Sequence, residues 1–161
     1  MAIEQKIIYV YENFSGETPQ LLGTLFVDHI RGKESYSFEY ETDWIKKSKY
    51  AISLDPDLQI FSGRQYPLGD KDIFGIFEDS SPDRWGRMLM TRRERIIADQ
   101  ETRKPRKLLK SDFLLGVDDE TRMGAIRFKT DKDGPFLSDD DKTPPPPLDQ
   151  PQNIRGSRET V

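Results

Sequence analysis

Hydrophobic and polar positions alternate through the first forty residues and then change their rhythm. KIIYVY (6–11) is β-branched and aromatic, the composition of a strand. LLGTLFVDHI (21–30) continues the signature with looser alternation: Leu22, Thr24 and Phe26 fall on one face, and Leu21, Leu25 and Val27 lie nearer the other. Between them NFSGETPQ reads as a loop, with Gly16 and Pro19 as breakers. After the turn IRGKES, Tyr36, Phe38 and Tyr40 alternate with Ser35, Ser37 and Glu39, the pattern of a half-buried strand. Three consecutive strands with short links predict an antiparallel meander. In ETDWIKKSKY, Thr42 or Asp43 is placed to cap a short helix bearing Trp44 and Ile45.

Residues 51–71 hold Pro56, Gly63, Pro67 and Gly69, which break any long element, while Ile52, Leu54, Leu58, Ile60 and Phe61 supply apolar surface to lay on the sheet. Ile73, Phe74, Ile76 and Phe77 predict a helical turn or two over 73–77. Asp79 and Ser80 then lead into SPDRWGRMLMTRRER (81–95), which predicts a helix from about Pro82 to about Asp99. Ser81 suits its N-cap, Pro82 its first position, and Asp83 adds negative charge to the first turn. Its apolar positions are Trp85, Met88, Leu89, Ile96 and Ile97, with Trp85 expected in the core; Arg84, Arg87 and Arg95 fall on the wetter side. A short helix is expected at 111–115, ended by Gly116 in a left-handed cap, and MGAIRF (123–128) returns to strand, with Gly124 allowing close backbone approach.

The pattern then dissolves. Six of the eleven prolines (135, 144–147 and 151) follow Phe128, and a four-proline run favours extended polyproline conformation over a packed element. The expectation is an α+β domain over 1–129, an N-terminal antiparallel β-sheet with packed helices, followed by a disordered Pro-rich C-terminal tail over 130–161. The 161 residues suit one domain with a tail, and the 34% apolar and 34% charged content fits a chain that is not all core. The net charge of −4 opposes bulk attraction to nucleic acid or an anionic membrane. The start, MAIEQKIIYVYENF, has neither a cleavage site nor the length of a membrane span, so a cytoplasmic chain is expected and the sequon at Asn13 is read as chance.

Candidate chemistry is sparse. With no cysteine there is no zinc-thiolate site or cysteine nucleophile, and His29, the one histidine, cannot form a metal cluster. No phosphate-cradling glycine loop and no kinase catalytic or metal-binding motif occurs, so no cofactor is expected. Asp139–Asp141 lack calcium-loop spacing, since Phe136 stands where a loop beginning at Asp131 needs glycine. Asp79 and Asp83 flank a turn without any partnering base or nucleophile and read as capping residues. From Arg84 to Lys110 there are ten Lys and Arg against three acids, an excess that would suit phosphates. No aromatic residue interleaves with those charges after Trp85, which favours a solvated or protein-facing surface over a nucleic-acid reader.

Three blocks, in order, carry a family resemblance. The first is LLGTLFVDHIRGKESYSFEYETDWI. The second is DIFGIFEDS (72–80) running directly into SPDRWGRMLMTRR (81–93), and the third is DFLLGVDDETRMGAIRF (112–128). Together they resemble the N-terminal region of HipA-like toxin kinases over about residues 6–129. Within them Asp79, Ser81, Pro82, Asp83, Trp85, Gly86, Met123 and Gly124 match the family's signature, and packing and docking are the roles expected for them. The resemblance implies a non-catalytic part of a serine/threonine kinase of type II toxin–antitoxin modules, because the family's ATP loop and catalytic aspartates come later than this sequence reaches. It implies either a stand-alone partner similar to HipS-type proteins or the front part of a divided HipA. Permitted codons for LDQPQNIRGSRETV, read one nucleotide later, can spell a stretch that resembles the family's continuation. The implied partners are a HipA-like kinase body or subunit and an HTH-type antitoxin, with Arg84, Arg87, Arg92 and Arg93 as docking residues. A nucleic-acid-binding module using the basic 84–110 surface is the alternative.

Overall fold

The computed structural model describes residues 3–14, 18–47, 54–117 and 125–137. Met123, Gly124, Gly16, Ile52 and the expected disordered stretch from 138 onward lie outside the described residues. The fold is α+β, as the alternation predicts. Strands β1 (Glu4–Glu12), β2 (Gln20–Ile30), β3 (Lys33–Tyr40), β4 (Arg64–Gln65) and β5 (Ile126–Lys129) form one antiparallel sheet in the order β4-β3-β2-β1-β5. The helices are α1 (Thr42–Lys47), α2 (Gly75–Asp79), α3 (Arg84–Gln100) and α4 (Lys110–Leu115).

The loose alternation of β2 has a structural cause. Val10 pairs with Gly23 and Tyr11 with Leu21, so Leu22 is an extra residue, a bulge that shifts the side-chain parity. Leu22 therefore turns inward with Leu25 and Val27, and not outward with Thr24 and Phe26 as strict alternation would place it. Its carbonyl accepts a hydrogen bond from Glu41 N at 2.9 Å, which fixes where the chain leaves β3 for α1. At Gly23 a methyl group would collide with the Phe38 ring and the Glu39 carbonyl, so the glycine lets Phe38 lie flat over β2.

The core lies on one face of the sheet. Ile8, Val10, Tyr36, Phe38, Tyr40 and Phe128 meet Trp44 of α1, Phe74 and Phe77 around α2, and Leu114 of α4. Tyr40 and Trp44 stack with ring centroids 5.5 Å apart, and the Trp44 indole donates to Glu12 Oε1 at 3.4 Å. The short helices take their N-terminal partners from distant residues. Asp55 accepts from Ile76 N at 2.7 Å and so holds α2. Glu34 of β3 accepts from Ser111 N at 3.0 Å and from the Ser111 hydroxyl, which pins α4 to the sheet. Tyr36 also donates to Glu34 at 2.6 Å, and burial followed by this carboxylate raises its phenol well above the ordinary value. These are the orphan amides that a helix of five or six residues cannot satisfy by itself.

Two expected ends are corrected. Helix α2 covers 75–79, two residues later than 73–77, because the Asp55 carboxylate meets the chain at Ile76. Gly116 does end α4, but with φ −85°, so no left-handed cap forms. Its missing side chain makes room for the Met90 methyl of α3.

The described chain also continues past Lys129. Leu137 N donates to Phe128 O at 3.3 Å, and Leu137 packs against the core. The Phe136 ring stands edge-on to Tyr11 at 5.2 Å, with the Arg127 guanidinium 3.7 Å above its centroid.

Candidate docking surface on the third helix

The turn before α3 differs from the expected one. Ser80 and Ser81 donate their hydroxyls backward, to Ile76 O at 2.8 Å and Phe77 O at 3.1 Å, and so close α2. Ser81 is thus unavailable as a cap for α3, and Pro82 precedes the helix. The N-cap is Asp83: its carboxylate accepts from Gly86 N at 2.8 Å, and the helix begins at Arg84. Asp79, the other acidic residue of the turn, is the last residue of α2. Gly86 also acts locally. A methyl there would come within 2.8 Å of the Pro82 ring, so the glycine lets the proline fold against the first turn rather than admitting another element.

One side of α3 is tied down. Glu94, near its middle, is buried and receives Arg103 Nη1 at 2.6 Å and the Arg106 backbone N–H at 2.9 Å. The Arg103 hydrogen bond, then that of the Arg106 amide, holds the Glu94 carboxyl down at about 2, against an ordinary 4.5. This contact folds residues 103–109 back along the helix. Ala98, one turn further on, is fully buried on the same side. Met90 reaches Gly116, and the Arg87 guanidinium sits 5.5 Å from the Phe113 centroid while its Nε donates to Pro82 O at 3.1 Å. A cavity of about 330 Å³ remains between α3 and α4, with Met90, Arg93, Ile97, Leu108 and Leu115 in its walls.

The other side of α3 faces outward. Trp85 is 56% exposed and Met88 52% exposed, which corrects the expectation that Trp85 lies in the core. The helix contributes no residue to the main apolar cluster. With about 100° between successive residues, Glu94 and Ala98 mark the tied side, and Trp85, Met88, Leu89, Arg92 and Ile96 fall opposite. Sequence periodicity grouped Trp85, Met88, Leu89 and Ile96 on one side but placed Ile97 with them and expected that side to be buried; Ile97 turns toward α4, and the side that packs bears Glu94 and Ala98.

The four expected docking arginines are divided by this geometry. Arg84 and Arg92 are exposed on the outward side. Arg87 and Arg93 are half-buried against the α4 side, and Arg87, expected among the wetter positions, is drawn in by Pro82 and Phe113. Glu94, Arg103 and Arg106 are the participants that sequence reasoning passed over. The visible signal was a lone acid in the run Arg92-Arg93-Glu94-Arg95.

No group of acids and histidines among the described residues is arranged to hold a metal ion. His29 stands near the end of β2, paired in register with Glu4 and Glu34. No described helix is long and apolar enough to cross a membrane. What this surface offers is a cationic, partly apolar helix on a small α+β scaffold.

The family model described as HipA N-terminal domain matches residues 19–129, and the chain belongs to that family. That domain is the non-catalytic N-terminal part of HipA-like toxin–antitoxin kinases. No match was found among curated proteins or among solved structures.

Proposed function

We propose that this chain acts by docking onto the body of a HipA-like kinase, with α3 as the contact helix. The carrying observation is the outward side of α3, where Trp85 and Met88 stand exposed beside Arg84 while the opposite side is fixed by Glu94. Exposed tryptophan and arginine on one rigid element are the residue types that dominate binding energy at protein interfaces. Arg84 and Arg92 supply charge on the contact side; Arg87 and Arg93 brace it from the α4 side. An HTH-type antitoxin would be a further member of the assembly, bound to the kinase so completed. The nucleic-acid reading has less support: Arg103 and Arg106 of the basic stretch are turned to Glu94 and Asp112, and Trp85 is the only aromatic residue on α3.

The test uses a HipA-like kinase body lacking its own N-terminal domain. It should co-purify with the full chain. Trp85→Ala should weaken the complex by about 2 kcal/mol or more, as truncation of a central hot spot does. Failure of the two to associate would overturn the proposal.

A further inference from the structure

The docking reading leaves open what chemistry covers α3, and the arrangement of that helix points to an answer. It is 17 residues long, so its outward side runs for about 25 Å. Trp85 and Met88 occupy the first two turns of this side, and Leu89 and Ile96, each partly exposed, continue the apolar line. Arg84 and Arg95 lie exposed along one margin and Arg92 within the line, while Arg93 is half-buried toward α4 beyond the other margin. Of the two acids on the helix, Glu94 is turned away and engaged by Arg103, and Asp99 lies exposed at the C-terminal end of the outward side. The outward side is therefore a narrow apolar strip with one exposed cationic margin and Arg92 within it.

We infer that the occupant is an amphipathic helix of a partner protein whose apolar strip is bordered by glutamates and aspartates. This rests on the docking reading and specifies the partner's surface within it. Charge complementarity selects the acid borders, because oppositely charged margins set register and reject wrong partners. A second copy of this chain is disfavoured: a two-fold contact through α3 would bring arginine margins together. An anionic membrane is disfavoured because the basic segment belongs to a chain whose net charge is −4, so the rest of the molecule is repelled from such a surface. A duplex offers phosphates but no apolar surface for Met88, Leu89 and Ile96.

The probe is a tryptophan-free helical peptide of roughly 18 residues, long enough to lie along α3, with leucines on one face bordered by glutamates. Its twin carries lysines at the border. Trp85 serves as the reporter, since Trp44, the other tryptophan, is buried. With the full chain, the acidic peptide should shift Trp85 emission to the blue and bind at least roughly tenfold more tightly than the lysine twin. Added salt should reduce that preference. Trp85→Ala, and separately Arg84→Glu with Arg95→Glu, should each lower affinity, read by anisotropy of the labelled peptide, by about tenfold or more with unfolding temperatures preserved.

Equal binding of the two peptides, or binding indifferent to Trp85→Ala, would overturn the inference. So would tighter binding to anionic vesicles or to duplex DNA than to the acidic peptide. A large gain in peptide affinity when the chain is ended at Leu137 would overturn it as well, by making the segment with Asp139–Asp141 the occupant. The two proposals fail separately. A kinase body that does not associate, beside an acidic peptide that does, ends the docking reading alone. A kinase body that associates and loses affinity with Trp85→Ala, beside equal binding of the acidic and lysine peptides, ends this inference alone.

Discussion

Trp85 and Asp83, two residues apart, have opposite energetic weights. Trp85 stands exposed, so Trp85→Ala should change folding stability by only about 0.5 kcal/mol, the range for surface positions without special contacts. Core Phe77 is a fair reference: buried at 1% exposure, it should cost about 3–5 kcal/mol when cut to alanine. Asp83 carries the cap, so Asp83→Ala should cost about 1 kcal/mol while Asp83→Asn retains most of it. Urea unfolding of the variants checks all three values; a loss at Trp85 near that of Phe77 would place the indole back in the core. Both serines before the helix match the favoured N-cap residue type, and local sequence cannot tell which end of a turn a hydroxyl will serve. Here the Phe77 carbonyl, one turn back, competes for Ser81 and wins.

At the scale of elements, the Glu94 carboxylate holds segment 103–109 against α3. Arg103 and the Arg106 amide depress the Glu94 carboxyl, so its contribution is complete above the ordinary 4.5 and is lost as pH falls from there toward about 2. The segment 103–109 should therefore release from α3 in acid before the sheet unfolds. Amide exchange of residues 103–109, followed through that window, should rise in the native chain and be already fast and nearly pH-independent in Glu94→Gln once intrinsic exchange is subtracted. Exchange in Glu94→Gln that still tracks the native profile would remove Glu94 as the cause. Helices α2 and α4 show the same dependence on distant acids through Asp55 and Glu34. Five- and six-residue helices have too few internal hydrogen bonds to persist in isolation, so residues remote in sequence decide where they begin.

For the molecule as a whole, the C-terminal limit of the packed chain is a measurable quantity. Phe136 and Leu137 lie against Tyr11, Arg127 and the core. A chain ended at Lys129 should lose about 1–3 kcal/mol relative to one ended at Leu137, the order expected for uncovering one or two large apolar side chains. The chain ended at Leu137 should unfold at the same temperature as the full one. Differential scanning calorimetry of the three lengths decides this, and equal melting of the shortest would show the Phe136 contact to be energetically empty. The purified chain should also transfer no phosphate from ATP, given that no phosphate-cradling or kinase metal-binding motif occurs in its 161 residues. Incorporation of labelled phosphate, with contaminating kinase excluded, would contradict it.

The meander, the α+β class, the long helix and the family blocks were legible in the sequence because they rest on local periodicity and on residue order, which neighbouring positions encode. Leu22, Ser81, Trp85 and Gly116 were assigned otherwise by local pattern than by the fold. Each was settled by a contact remote in sequence or across a turn: Leu22 by pairing with β1, Ser81 by the Phe77 carbonyl, Gly116 by the Met90 methyl. For Trp85 the deciding contact is on the opposite side of its own helix, where Glu94 meets Arg103. An amphipathic sequence establishes which residues share a side. Which side is buried depends on where the rest of the chain is held, and in α3 it is the side bearing Glu94 and Ala98.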